Sequence, residues 1–398
     1  MPRIASFSSQ AFTGFLSKIA EILAVGDIDP NFDIGTGFGG RVFAGVSAIA
    51  VQSDGDIVVG GSFRDYNGES DPENIMRLRS SGSKDNFFNR VGFFDPQPGP
   101  GFNGSVSSIL IQPDQKILVG GGFTTYNDET VAPLIRLNTD GSIDTSFDAS
   151  GEIDSAPLSM AFQNDGKLIL GGGFNERSSL GQFVTRLNSD GSGDFFFDTD
   201  FFTHSPASLA VVRTVAIQSD GKILVGGTFD NYDGVTVGNI ARLNSDGSRD
   251  SSFNSGIGFN NGVEKIVIQP DGKILVGGFF VSYDGITANR IIRLNPDGSR
   301  DNTFDVGDKA NASVDSIALQ SNGKILVGGS FTSYNGIPQN YLTRLTSDGS
   351  IDTSFDIGTG IEGSNVRVIT IQPDNKILVG GRFTSYDGVS QNNLTRII

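Results

Sequence analysis

An all-β, seven-bladed β-propeller closed by its own N-terminal strand is the fold this sequence predicts, and three observations predict it. One phrase, typified by QPDGKILVGGFF, recurs from Gln52, Gln112, Gln163, Gln218, Gln269, Gln320 and Gln372. The steps between copies are 60, 51, 55, 51, 51 and 52 residues, the length of a propeller blade and too long for an ankyrin or leucine-rich unit. The segment GDIDPNF at 26–32 matches GSIDTSF at 349–355, so the chain starts with the tail of the unit it later repeats.

Within a unit, KILVGG is a short, almost continuous apolar run, as a strand buried on both faces requires, while VEKIVIQ and IIRLN flank Asp-Gly turns as hairpin arms do. Four antiparallel strands per blade follow, near 264–269, 273–280, 290–295 and 299–304 in the fifth copy.

The turns fix the register. Pro before Asp-Gly holds φ near about −65°, which excludes a two-residue type I′ turn and favours a type I turn with Gly in a G1 bulge. Asn244 then faces Ser248 and Arg242 faces Asp250, giving a cross-strand Arg–Asp pair. The same spacing recurs at Arg77 and Asp85, Arg136 and Asp144, Arg186 and Asp194, Arg293 and Asp301, and Arg344 and Asp352. Arg396 lacks a downstream Asp, and the N-terminal match supplies one: Asp29 is its expected partner and Phe32 the missing aromatic of the seventh unit. A strand at about 28–34 therefore completes the last blade and removes the open sheet edges.

Two domains follow, an arm at 1–26 and the propeller at 27–398. In the arm, Phe12, Phe15, Leu16, Ile19, Ile22 and Leu23 fall at helical spacing before Gly26, so 9–24 reads as an amphipathic helix. A closed ring does not need that apolar stripe. With Phe7, these residues are the candidate partner-docking set, against a larger assembly or the outside of the ring.

Composition narrows the chemistry. The chain has no cysteine and one histidine, His204, so thiol nucleophiles and histidine-rich metal sites are excluded and no catalytic or metal residue is assigned. A formal charge of −16 argues against nucleic acid as a partner, and no apolar stretch suits membrane insertion. The alternating oxygens of NSDGSRD lack the glycine and glutamate positions of an EF-hand loop, and turn chemistry explains them. No cofactor is expected.

Fourteen phenylalanines recur with the repeat, after the glycine pair or after the Asp, and are expected to pack between blades. The insertions at 90–102 and 195–202 do not belong to the repeat, and inserted loops commonly bind. Phe93, Phe94, Phe201 and Phe202 are accordingly the candidate receptor-binding aromatics.

The units resemble the delta-60 repeats of bacterial and bacteriophage proteins, over residues 27–398. Gln115 and Asn375 depart from that pattern in replacing the turn glycine. The resemblance implies a propeller and, by analogy, a non-catalytic structural or adhesive virion component. Such a component would sit at the phage tail, in a multi-subunit assembly joined through 1–26, and present the ring to a host-surface glycan or protein. A bacterial carbohydrate-binding adhesin at the cell surface, a capsid decoration protein and a propeller lyase are the alternatives.

Overall fold

A computed structural model describes residues 25–70, 73–91, 97–174, 183–197, 202–203, 210–304 and 307–398. Among them every regular element is a strand. Seven blades surround a central channel. Their inner strands are Gly45–Val51, Val106–Ile111, Pro157–Phe162, Val211–Ile217, Val263–Ile268, Val314–Leu319 and Ile361–Ile371. Each packs on the inner strand of the next blade, and the seventh packs on the first.

In every blade the KILVGG strand lies in the middle of an antiparallel sheet, as in blade 5, where Ile274–Gly278 pairs with Val263–Ile268 on one side and Ile291–Leu294 on the other. Its residues are fully buried because blades cover both faces. The glycine pair is what lets blades meet. A Cβ on Gly226 would lie 2.5 Å from Val263 of the next blade, and one on Gly227 would lie 2.0 Å from the Val211 carbonyl of its own inner strand.

The fourth strand is shorter than expected. It is a single bridge, Leu294 to Arg300 in blade 5, with equivalents in the other internal blades. The Asp that follows ends it: Asp301 accepts the Thr303 N–H at 2.9 Å and its hydroxyl at 2.7 Å, an Asx-turn that diverts the chain.

Ring closure occurs where the sequence places it. Ile28 bridges Ile397, and the Asp29 N–H donates to the Arg396 carbonyl at 2.8 Å. The Tyr386 hydroxyl donates to the Gly26 carbonyl at 2.5 Å, the bond that Tyr232 makes to Gly247 inside blade 4 at 2.6 Å.

Each Arg–Asp pair is the centre of a larger clasp. Arg242 Nε donates to Asp250 at 2.7 Å, its guanidinium lies 4.9 Å from the Phe253 ring centre, and Nη1 donates to the Pro296 carbonyl of the next blade. Lys222 bonds the same carboxylate at 2.9 Å. Arg396 repeats this with Asp29, Phe32, Lys376 and the Ser80 carbonyl of blade 1. In blade 1 the lysine position is Asp56, and Arg79 compensates by bridging Asp56 at 2.8 Å and Asp85 at 2.5 Å.

All fourteen repeat phenylalanines are buried, as are Tyr66, Tyr126, Tyr232, Tyr283, Tyr334 and Tyr386. Gln115 and Asn375 adopt φ of 68° and 67°, so the turn keeps its left-handed residue without glycine. The helix expected over 9–24, with Phe7, Phe12, Phe15, Leu16, Ile19, Ile22 and Leu23, lies outside the described residues.

Candidate functional site in the central channel

The inner strands carry one irregularity at the same place in every blade. A β-bulge offsets their pairing with the second strand, and the bulged residues are Ser47, Ser107, Leu158, Arg213, Glu264, Asp315 and Arg367. A bulge re-aims a side chain. All seven residues line one cavity of about 280 Å³ on the ring axis, to which every blade contributes.

The lining is divided. Blades 1 to 3 offer the Ser47 and Ser107 hydroxyls, the Ser108 and Ser159 hydroxyls being bonded to the Pro157 carbonyl and the Val215 N–H of the next blade, whereas blades 4 to 7 offer Arg213, Glu264, Lys265, Asp315 and Arg367. Arg213 Nε sits 3.0 Å from Glu264, and Arg367 donates to the Ser47 hydroxyl at 3.3 Å. Asp315 accepts from Ser330 at 3.3 Å through one oxygen, while its other oxygen is buried with no well-formed hydrogen bond, Ser313 and Asn365 standing close to the carboxylate. Lys265 has no ion pair among the described residues.

Desolvation dominates the electrostatics. Burial pushes the Glu264 carboxyl up to about 7, against the pull of Arg213 and helped by Asp315. It raises Asp315 as well, and it lowers the Lys265 ammonium. Burial also lowers Arg367, with nearby Arg382 adding to the effect. Partly buried charges of both signs, imperfectly paired, favour polar or charged ligands that complete the pairing.

The bulged ends of the inner strands adjoin the loops that lead into them. Blade 1 has a long loop here, in which Val42 is 93% exposed and Phe43 69%, with the Arg382 guanidinium 5.4 Å from the Phe43 ring centre. Arg41 bonds Glu73 at 2.9 Å and fixes the loop base.

Of the residues proposed from sequence, Asp29, Phe32 and Arg396 meet in one clasp. Phe93, Phe94, Phe201 and His204 lie outside the described residues. Phe202 is a correction. It is 2% exposed, with its ring centre 4.8 Å from Phe229 and 4.4 Å from Tyr232, so it is core and offers no receptor surface. Phe38, Phe102 and Phe259 pack in the same way. These four precede their inner strands at unequal distances, which hides the equivalence in sequence. Among the described residues of the same stretch, the exposed aromatics are Phe195 and Phe196, at 77% and 87%.

The channel ring went unread in the sequence although a signal exists. Each bulged residue stands five places before the repeat Gln, at the one position of the inner strand where Ser, Leu, Arg, Glu and Asp all occur.

Solved structures of the same fold include the extracellular domain of the one-component system BT4673 from B. thetaiotaomicron. It superposes with a TM-score of 0.54 at 12% identity, over 94% of this chain and 42% of that one. The chain thus spans less than half the length of that structure. The WD40 propeller of Doa1 matches with a TM-score of 0.53 at 15% identity, covering 94% and 95% of the two chains. A streptogramin B lyase matches with 0.53 at 13% identity, covering 91% and 95%. No curated protein matches the sequence. The model of a "Domain of unknown function (DUF5122) beta-propeller" fits residues 52–88, 112–147, 163–194, 218–253, 269–304, 320–355 and 372–397, one match per blade, and the chain belongs to that family.

Proposed function

We propose that the protein is a non-catalytic recognition propeller displayed outside the cytoplasm, as a bacteriophage tail component docked through residues 1–26. It takes a surface ligand at the central channel. The observation that carries this reading is the division of labour within the blade. The Arg, Asp, Lys, Phe and Tyr of the repeat are consumed by contacts within blades and by the Arg bond to the next blade, whereas the variable polar and charged residues converge on the channel. A rigid ring with one variable axial site is a display scaffold. The extracellular setting draws on the BT4673 domain, which shares the fold, and the phage setting on the likeness of the repeats to those of phage proteins. A bacterial surface adhesin has the same requirements and differs in lacking a virion.

The test is binding of fluorescently labelled full-length protein to intact bacterial cells, with immunogold labelling of phage particles from the same source. Saturable cell binding that falls on Arg367→Met supports the reading. Absence of binding to every strain tried, from a protein shown to be folded, defeats it.

One observation favours a second reading, a channel enzyme. Glu264, with its carboxyl near 7, and Lys265, with its ammonium lowered, are poised for proton transfer in the way catalytic groups are. Since a streptogramin B lyase shares the fold, incubation with a streptogramin B and mass spectrometry is the direct assay. Turnover abolished by Glu264→Gln would replace the binding reading with this one.

A further inference from the structure

The channel lining is richer in cations than the molecule that contains it. The chain carries −16 overall, yet the lining brings Arg213, Lys265 and Arg367 against only Glu264 and Asp315. Arg213 is engaged by Glu264 at 3.0 Å. That leaves Lys265 without an ion pair among the described residues, and Arg367 with a 3.3 Å bond to the neutral Ser47 hydroxyl and the longer-range attraction of Asp315 but no salt bridge. Arg382 adds a further positive charge close to Arg367. Two under-neutralised cations in a desolvated wall form an anion site, because an unpaired buried charge is costly and a bound anion removes that cost.

The rest of the lining describes the remainder of the ligand. Asp315 holds one buried carboxylate oxygen with no well-formed hydrogen bond, although Ser313 and Asn365 stand close to the carboxylate, and Ser47 and Ser107 supply hydroxyls that both donate and accept. A donor-bearing ligand would satisfy both. The cavity, at about 280 Å³, falls just under the range of drug-sized sites and matches a single sugar ring.

We propose that the channel binds a small hydroxylated carboxylate, the chemistry of a uronic acid, with its carboxylate between Lys265 and Arg367 and a hydroxyl donating to Asp315. This deepens the recognition reading and rests on it for its setting, since the end sugar of an acidic surface glycan presents these groups. Phosphate carries the charge without the hydroxyl donors, and glucose carries the hydroxyls without the charge, so the two separate the halves of the site.

The experiment is isothermal titration calorimetry of the full chain at neutral pH and low salt, with glucuronate, glucose and inorganic phosphate as probes. Glucuronate is expected to bind saturably and about tenfold or more tighter than either control. Lys265→Met and Arg367→Met are each expected to weaken it about tenfold, with melting temperatures that hold or rise showing that the ring is intact. Asp315→Asn is expected to narrow the gap between glucuronate and phosphate. Failure of glucuronate to bind, or affinity unchanged in both cation variants, overturns the proposal. Cell binding that persists while glucuronate fails refutes this ligand class and leaves the recognition role standing. Glucuronate binding without cell binding does the reverse.

Discussion

The clasps and the channel ring are built from the same seven blades and follow opposite rules. At the clasps, seven blades use the same Arg, Asp and Phe, with Arg–Asp distances of 2.6–2.8 Å throughout. At the bulges, the seven blades use five residue types. A clasp must fit its neighbour's clasp, so each copy constrains the next. A bulged side chain points into the axial cavity, and any residue of moderate size is tolerated there. Repetition marks what holds the ring together, and departure from repetition marks where it can be specialised.

The largest effect expected from this contrast is at the clasps. Asp250→Ala strands Arg242 and Lys222 in a buried site, and removing one partner of a buried pair costs about 3–5 kcal/mol. Asp29→Ala does the same to Arg396 and Lys376 at the closure. Urea denaturation should give the two variants similar losses, because the closure clasp reproduces the internal one. A much smaller loss for Asp29→Ala would mean that the ring does not depend on its N-terminal strand. Arg213→Ser at the channel should cost far less than either.

Close packing between blades provides the next test. Gly226→Ala drives a methyl to 2.5 Å from Val263, and Gly380→Ala drives one to 2.6 Å from Val46 across the closure seam. Overpacking of this kind costs about 1–3 kcal/mol. Equal drops in melting temperature would show that the seam is packed as tightly as an interior joint, and a tolerated Gly380→Ala would show that it is looser.

The two regions should also respond to pH in opposite senses. The Asp250 carboxyl is held well below the carboxylate range: burial raises it, but bonds from Lys222, Ser252 and Arg242 outweigh that. Its folded value lies below the unfolded one, so its contribution is complete above about pH 4 and is lost as pH falls further. Glu264 is raised to about 7, so between roughly pH 4.5 and 7 the folded state holds the extra proton and stability declines as pH rises. Stability measured against Glu264→Gln should therefore fall by on the order of 2 kcal/mol from pH 5 to 8. A flat difference would place Glu264 in water.

The clasps were legible in the sequence because every partner belongs to the repeat: the eight-residue spacing of Arg242 and Asp250 follows from turn geometry alone, and Asp29 follows from aligning two fragments. Reach across blades was not legible. Nothing in a one-dimensional register says that Arg242 also bonds the Pro296 carbonyl, or that Phe202, ten residues before Val212, fills the place Phe259 fills four residues before Val263. The channel was missed for a related reason. A bulge changes which way a side chain points without changing the apolar pattern around it, so VEKIVIQ reads only as an ordinary hairpin arm.

The smallest effect tests the rule at the positions where a blade departs from its clasp. In blade 4, Ser252 donates to Asp250 at 2.7 Å and accepts from Arg242 at 3.1 Å. Blade 3 has Phe196 at that position, which keeps only the backbone bond to Asp194 at 3.1 Å and leaves its ring 87% exposed. Phe196→Ser should restore both side-chain bonds and remove exposed apolar surface, for a gain of about 1 kcal/mol. A rise in melting temperature would make Phe196 a residue retained against the interest of the ring, and Phe87, 69% exposed in blade 1, should behave likewise. A fall would show that the ring pays for itself through contacts of Phe196 within blade 3, and departure from the repeat would then mark local repacking there.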